Sequence, residues 1–397
     1  MPEPPSDHEI AVLLPGGGAR AAYQVGALRA IARILGRHAA QPFRIICGTS
    51  AGAINAAALA IHADNFRCGV ARLLRWWNTM DVDMIYRADA ASVAVHGMRW
   101  LASVLVGAGG PARAASMLDN SPLRSLLQRQ FALDRVDAQV QSGVLRALAI
   151  NATSYTTGHA VTFYQGSPAI APWQRTRRRG EPASITVDHL LASTAIPFVF
   201  PAARVGDDYF ADGSVRQIAP LSPALHLGAR RILVVAVGQF TGQWPPTSHN
   251  VAPRYPSFAQ MAGHALASIF LDNLGADLER LQRLNHVLNL VPETRQKQHP
   301  EVVHLDALVL SPSRDLGAMA VPYAGRLPLG VRYLLHGFGS TEGTGASLLS
   351  YLLFERRYTR ALLDLGFRDA MARRDEIEAF LAAEGARYAP LFPPELA

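Results

Sequence analysis

Cysteine, lysine and charge are all scarce in this sequence, and each scarcity excludes something. Two cysteines in 397 residues cannot make a disulfide framework. Cys47 stands in an apolar run and Cys68 in a helical one, which reads as two buried free thiols in a reducing compartment. Charged residues make up 17% against 49% hydrophobic, so a disordered bulk is not expected, and the length allows a large core without disulfides or metals. Long apolar runs are missing too: Ser92 to Gly110 is the longest, and His96, Arg99 and two late glycines break it short of a bilayer span. Met1 to His8 is proline-rich, with no basic start and no apolar stretch, so no Sec signal is expected. A cytoplasmic setting follows, with peripheral membrane contact left open. Lysine occurs once, at Lys297, so the net charge of +7 rests on arginine. Arginine's forked donors suit phosphate, although such one-sided usage reads first as codon bias. Without a helix-turn-helix, zinc-ligand or aromatic-basic motif, a nucleic-acid partner is not expected. The histidines show no metal-ligand spacing, and neither metal nor cofactor is expected.

What is present is a series of strand-turn-helix units. Ile10 to Leu14 (IAVLL) reads as a buried strand, Gly16-Gly17-Gly18 as a turn, and the spacing of Tyr23, Leu28, Ile31 and Leu35 as a helix. Phe43 to Cys47 is a second buried strand, followed by another glycine turn and a small-residue helix, Ala53 to Ile61. Two such units predict an α/β fold with a mostly parallel sheet covered by helices. Helices over Phe66 to Trp77, Ser92 to Val106 and Pro122 to Phe131 form an insertion at about 65–135. Strands are expected at Leu145 to Ile150, Ala160 to Tyr164, Arg204 to Phe210, Ile232 to Val237, Val287 to Val291 and Val302 to Val309. Helices at Leu348 to Phe354, Tyr358 to Leu365 and Asp369 to Leu381 then form a C-terminal extension, dividing the chain into residues 1–310 and 311–397.

Three short motifs carry chemistry. Gly48-Thr49-Ser50-Ala51-Gly52 is a G-x-S-x-G between a strand and a helix, the setting a nucleophile elbow needs: flanking glycines permit a sharp turn that presents Ser50 at a helix N-terminus. The bland alternative is a tight turn with an ordinary N-terminal serine. Gly16-Gly17-Gly18-Ala19-Arg20 offers backbone N–H groups to a developing oxyanion, with Arg20 adding positive charge. With Ala21 it also fits the dinucleotide fingerprint G-x-G-x-x-G/A, but the second strand ends in Cys47-Gly48-Thr49-Ser50, without the acidic residue that holds a ribose. Asp212-Gly213-Ser214 places a carboxylate at a strand end, available as the base a serine hydroxyl requires, or simply as a turn.

Together and in this order, the three motifs resemble the patatin-like phospholipase family. Further resemblance runs through Leu13 to Leu28, Asn151 to Phe163, Ala192 to Pro201 and Ile232 to Val237, covering roughly residues 9 to 310. The resemblance implies a patatin-like three-layer fold and a Ser50–Asp212 dyad that works without histidine on a lipid or lysolipid ester. Gly16 to Arg20 would then supply the oxyanion hole. Two positions depart from the family pattern: Ala21 follows the loop arginine where glycine is usual, and Ser214 stands where Gly or Ala is usual. A small hydroxyl there could hydrogen-bond near Asp212 and shift its basicity. A Ser-Asp-His triad would use one of His226, His264, His286, His304 or His336. The same dyad would also serve an acyltransferase, and the same fold a non-catalytic lipid- or partner-binding protein.

Two segments could meet a membrane. Gln174 to Gly180 (QRTRRRG) is a basic loop beside Trp173, and Val93, Met98, Trp100, Leu101, Val104 and Leu105 could form an interfacial lid. A solvated loop and a buried helix are the plainer readings.

Overall fold

A computed structural model of the protein describes residues 9–36, 41–87, 116–239, 274–292, 304–329 and 344–382, with a few single positions between them. Apart from Val95, the expected Ser92 to Val106 helix lies outside the described residues, as do all the residues of its lid.

A ten-stranded sheet forms the centre. Its strands are β1 (Ile10–Leu14), β2 (Ile45–Thr49), β3 (Ala147–Ser154), β4 (Ala160–Gly166), β5 (Trp173–Arg175), β6 (Arg178–Pro182), β7 (Ala203–Val205), β8 (Asp208–Asp212), β9 (Arg231–Val235) and β10 (Asp306–Leu310). Its order is β10-β9-β1-β2-β3-β4-β6-β5, with β8 also pairing β3, and β7 pairing β8. The five strands from β10 to β3 are parallel, while β4, β5, β7 and β8 bring antiparallel pairings. The longer helices are α1 (Ala22–Ile34), α2 (Ala51–Ile61), α3 (Phe66–Thr79), α4 (Ser121–Gln130), α5 (Val187–Thr194), α6 (Leu274–Leu290), α7 (Thr344–Leu352), α8 (Arg356–Ala372) and α9 (Arg374–Ala382).

Alternation along each strand divides the core in two. Val12, Leu14, Ile46, Leu148 and Ile150 pack on one face under α1, α2 and α8, while Ala11, Leu13, Ile45, Cys47 and Ala149 pack on the other with Leu274, Leu278 and Leu281 of α6. The sheet is therefore covered on both sides, which explains why β1 and β2 read as unbroken apolar runs.

Several expectations need correction. Val287 to Val291 is not a strand; through Leu290 it is the end of α6, whose buried Leu274, Leu278 and Leu281 carry a helical period that a short apolar run conceals. Arg204 to Phe210 is a hairpin rather than one strand, turning at Gly206 with φ 59°. Gln174 to Gly180 is a second hairpin, β5–β6, with Arg177 at φ 58° in its turn. Cys47 is buried as expected, whereas Cys68 is only half-buried.

The C-terminal helices pack tightly onto the first unit. A Cβ on Gly26 of α1 would lie 2.1 Å from the Leu363 carbonyl oxygen of α8, and one on Gly366 of α8 would lie 2.1 Å from that of Tyr23. The two helices approach at backbone distance, and any larger residue at either glycine would separate them.

Candidate active site

The site follows from strand register. Leu14 pairs with Gly48, so the chain leaves β1 and β2 at the same edge of the sheet and the two glycine turns lie side by side. Thr49 pairs with Asn151, and the next residue of β3, Ala152, pairs with Asp212 of β8. Sheet pairing thus carries a residue from late in the chain to the position beside Ser50.

Ser50 has φ 53° and ψ −131°, a backbone conformation that L-residues rarely adopt. Such a geometry costs on the order of 1–3 kcal/mol and persists only where surrounding structure enforces it. The enforcement is visible. A Cβ on Gly52 would lie 2.1 Å from the Leu14 carbonyl oxygen, so the elbow is clamped against the end of β1. The Ser50 N–H donates to Ser193 Oγ at 2.9 Å, and that hydroxyl donates to the Asn151 carbonyl at 2.6 Å.

Asp212 is fully buried. Its N–H donates to the Ala195 carbonyl at 2.8 Å, its carbonyl accepts from Thr153 Oγ1 at 3.0 Å, and its Oδ1 accepts the Ser214 N–H at 2.9 Å. Burial pushes the carboxyl up to about 6, against the opposing pull of the Ser50 hydroxyl, the Ser214 N–H and the Ser214 hydroxyl. Oδ2 has no hydrogen-bond partner of good geometry among the described residues. The Ser50 hydroxyl lies beside the carboxylate, and Oδ2 stays open to a proton. Gly16 joins the three motifs, since a Cβ there would lie 2.5 Å from Ser214 Oγ and 3.0 Å from Ser50 Cβ.

The loop after β1 divides its donors. The N–H groups of Gly17, Gly18 and Ala19 find no acceptor among the described residues, whereas that of Arg20 is spent on the Gly17 carbonyl at 3.0 Å. Gly18 takes φ +53°, and a Cβ on it would lie 2.2 Å from the Tyr351 carbonyl oxygen, so glycine is required twice over. The Arg20 side chain reaches α7. Its Nε donates to Ser350 Oγ at 2.6 Å and its guanidinium lies 4.4 Å over the Tyr351 ring, tying the loop to α7.

Motif reading misses a buried polar brace behind the loop. Gln24 donates to the Pro15 carbonyl at 2.8 Å and accepts from Asn55 Nδ2 at 3.0 Å, while Asn55 Oδ1 accepts the Trp77 indole N–H at 2.9 Å. The signal was present in the sequence: Asn55 is a lone polar residue in the otherwise apolar and small AGAINAAALAI. Of the histidines that could complete a triad, His226 stacks on Trp173 at 4.8 Å and His304 pairs with Asp306 at 3.3 Å. His286 belongs to α6, while His264 and His336 lie outside the described residues.

Next to Ser50 is an apolar cavity lined by Trp76, Trp77, Met80, Ile85, Phe200 and Phe354, among others. Its volume is about 30 Å³, space for about one water. Ser50 itself is only 2% exposed.

A family model described as patatin-like phospholipase matches residues 12–225, more than half of the chain and inclusive of all three motifs. The chain belongs to the patatin-like phospholipase family. Its fold, a mixed sheet with mostly parallel central strands flanked by helices and a helical C-terminal region, is the patatin fold. Among curated proteins, a cGAMP-activated phospholipase of Pseudomonas aeruginosa (strain BWHPSA011 / Pa011) is 27% identical over 222 residues, 56% of each chain. The match therefore spans about half the length of that relative. Among solved structures, VipD from Legionella pneumophila superposes with a TM-score of 0.36 and 10% identity, over 94% of this chain and 67% of its own.

Proposed function

We propose that the protein hydrolyses fatty-acyl esters of phospholipids or lysophospholipids, with Ser50 as nucleophile and Asp212 as its base. The observation that carries this reading is the strained backbone of Ser50, held beside a fully buried carboxylate whose pKa is raised to about 6. A base near neutrality that is still ionised at pH 7 is suited to taking a proton from a serine hydroxyl.

Ser50 Oγ attacks the ester carbonyl while its proton passes to Asp212 Oδ2. The open N–H groups of Gly17 and Gly18 receive the charge that develops on the carbonyl oxygen, each such donor being worth about 2.7 to 4 kcal/mol. Asp212 then gives the proton to the departing alcohol, which leaves an acyl group on Ser50. Water attacks that ester as Asp212 accepts its proton, releasing the fatty acid and restoring Ser50. The apolar wall of Trp76, Trp77, Ile85 and Phe200 suits an acyl chain, but a volume of about 30 Å³ holds little of one, so side chains must move for substrate to enter.

The test is labelling with a fluorophosphonate ester and measurement of fatty-acid release from a mixed phospholipid extract, comparing wild type with Ser50→Ala and Asp212→Asn. Labelling and release by wild type, with both variants silent, supports the dyad. Release of acylated acceptor in place of free fatty acid would redirect the reading to acyl transfer. A folded wild-type protein that neither labels nor releases fatty acid in micelles or liposomes would refute it.

A further inference from the structure

Trp76 is a wall common to two cavities. One is the small apolar space at Ser50, and the other is a hollow of about 470 Å³ between α3 and α4. The second is lined by Arg72 and Arg75 of α3 and Arg129 of α4, with His62, Trp76 and Phe131 beneath them.

Neither α3 (FRCGVARLLRWWNT) nor α4 (SPLRSLLQRQ) contains an aspartate or glutamate. The ion pairs nearby are made by other arginines, Arg124 with Asp188 at 2.7 Å and Arg135 with Asp64 at 3.2 Å. Arg72, Arg75 and Arg129 have no carboxylate partner among the described residues. The His62 pKa lies below the usual imidazole value, held there by burial first, then by Arg72 and Arg135, against an opposing pull from Asp64. The Trp76 indole N–H is buried and has no acceptor among the described residues.

Three guanidiniums with no carboxylate partner among the described residues, around a concave and partly aromatic hollow, suit an oxyanion. Guanidinium forks match phosphate oxygens in geometry as well as charge. A volume of about 470 Å³ falls within the range of small-molecule sites and far exceeds what one inorganic phosphate fills. We propose that this cavity binds an organic phosphate, with Arg72, Arg75 and Arg129 as its phosphate clamp and the Trp76–Phe131 face as its apolar floor. The same chemistry is offered by a free nucleotide-sized phosphate ester and by the head group of an anionic phospholipid. The site does not depend on hydrolysis at Ser50.

Binding is measured on the full-length Ser50→Ala protein, alone and with the added pair Arg72→Gln and Arg129→Gln. Calorimetric titration with pyrophosphate and with adenosine monophosphate probes a free phosphate. Flotation with phosphatidylcholine vesicles, with and without phosphatidic acid, probes a head group. The expected result is binding in one arm that weakens as salt is raised and falls by about tenfold or more in the double glutamine variant. The arm that responds identifies the source. The pair Arg72→Lys and Arg129→Lys keeps the charge, loses the fork, and is expected to fall between the two. Circular dichroism verifies that each variant is folded. Absence of binding in both arms, or binding equally strong in the folded double glutamine variant, overturns the proposal. Since no turnover is read, either outcome leaves the Ser50 chemistry to its own test.

Discussion

Replacing Asp212 with asparagine is expected to stabilise the fold while abolishing activity, and the gain should depend on pH. Burial raises the Asp212 carboxyl from 3.8 to about 6. At about 1.4 kcal/mol per pKa unit, the ionised group therefore costs the folded state about 3 kcal/mol near pH 8. The sign follows from proton affinity: the folded chain holds this proton more tightly than the unfolded chain. The stabilising contribution of protonation is complete below about 3.8 and lost as pH rises through about 6. Asparagine has no such proton, and its Oδ1 can still accept the Ser214 N–H. The variant should be more stable than wild type by about 3 kcal/mol near pH 8 and by about half that near pH 5, where the folded carboxyl is already mostly protonated. Urea denaturation of both proteins at the two pH values, with fluorophosphonate labelling in parallel, measures both effects. An Asn variant no more stable than wild type near pH 8, or a gain that does not change with pH, would refute the argument from burial.

Two further outcomes follow from the same geometry. The acid limb of the pH–rate profile for ester hydrolysis should lie at about 6, and Ser214→Ala should move it upward, because the Ser214 hydroxyl helps to hold the Asp212 pKa down; an unmoved limb would detach Ser214 from the base. Ser50→Gly should raise the unfolding free energy by about 1–2 kcal/mol relative to Ser50→Ala, since glycine alone accepts φ 53° without strain. Equal stability of the two variants in thermal unfolding would mean that the elbow is not strained.

The three motifs are legible in the sequence because each is local. A glycine turn after an apolar strand, a G-x-S-x-G before a small-residue helix, and an Asp-Gly at a strand end are all written in consecutive residues. The antiparallel hairpins were harder to read, since Arg204 to Phe210 looks like one strand until Gly206 turns it back on itself. Val287 to Val291 misleads for the opposite reason: its apolar run is local, but the burial that makes α6 a helix lies a turn or more earlier, at Leu274, Leu278 and Leu281.

What the sequence determined by itself was the chemistry available: a serine, a carboxylate and a glycine-rich loop, in an order that resembles one family. Tertiary structure decided how that chemistry is poised. The pairing of Ala152 with Asp212 carries the carboxylate to Ser50, and complete burial, which no sequence window reveals, brings its pKa toward neutrality. The same holds for Arg20, whose side chain meets Ser350 and Tyr351 of α7, 330 residues away in the case of Ser350. Residue identity is local, but desolvation and the choice of partner depend on everything that packs around a side chain, and only the folded chain supplies those neighbours.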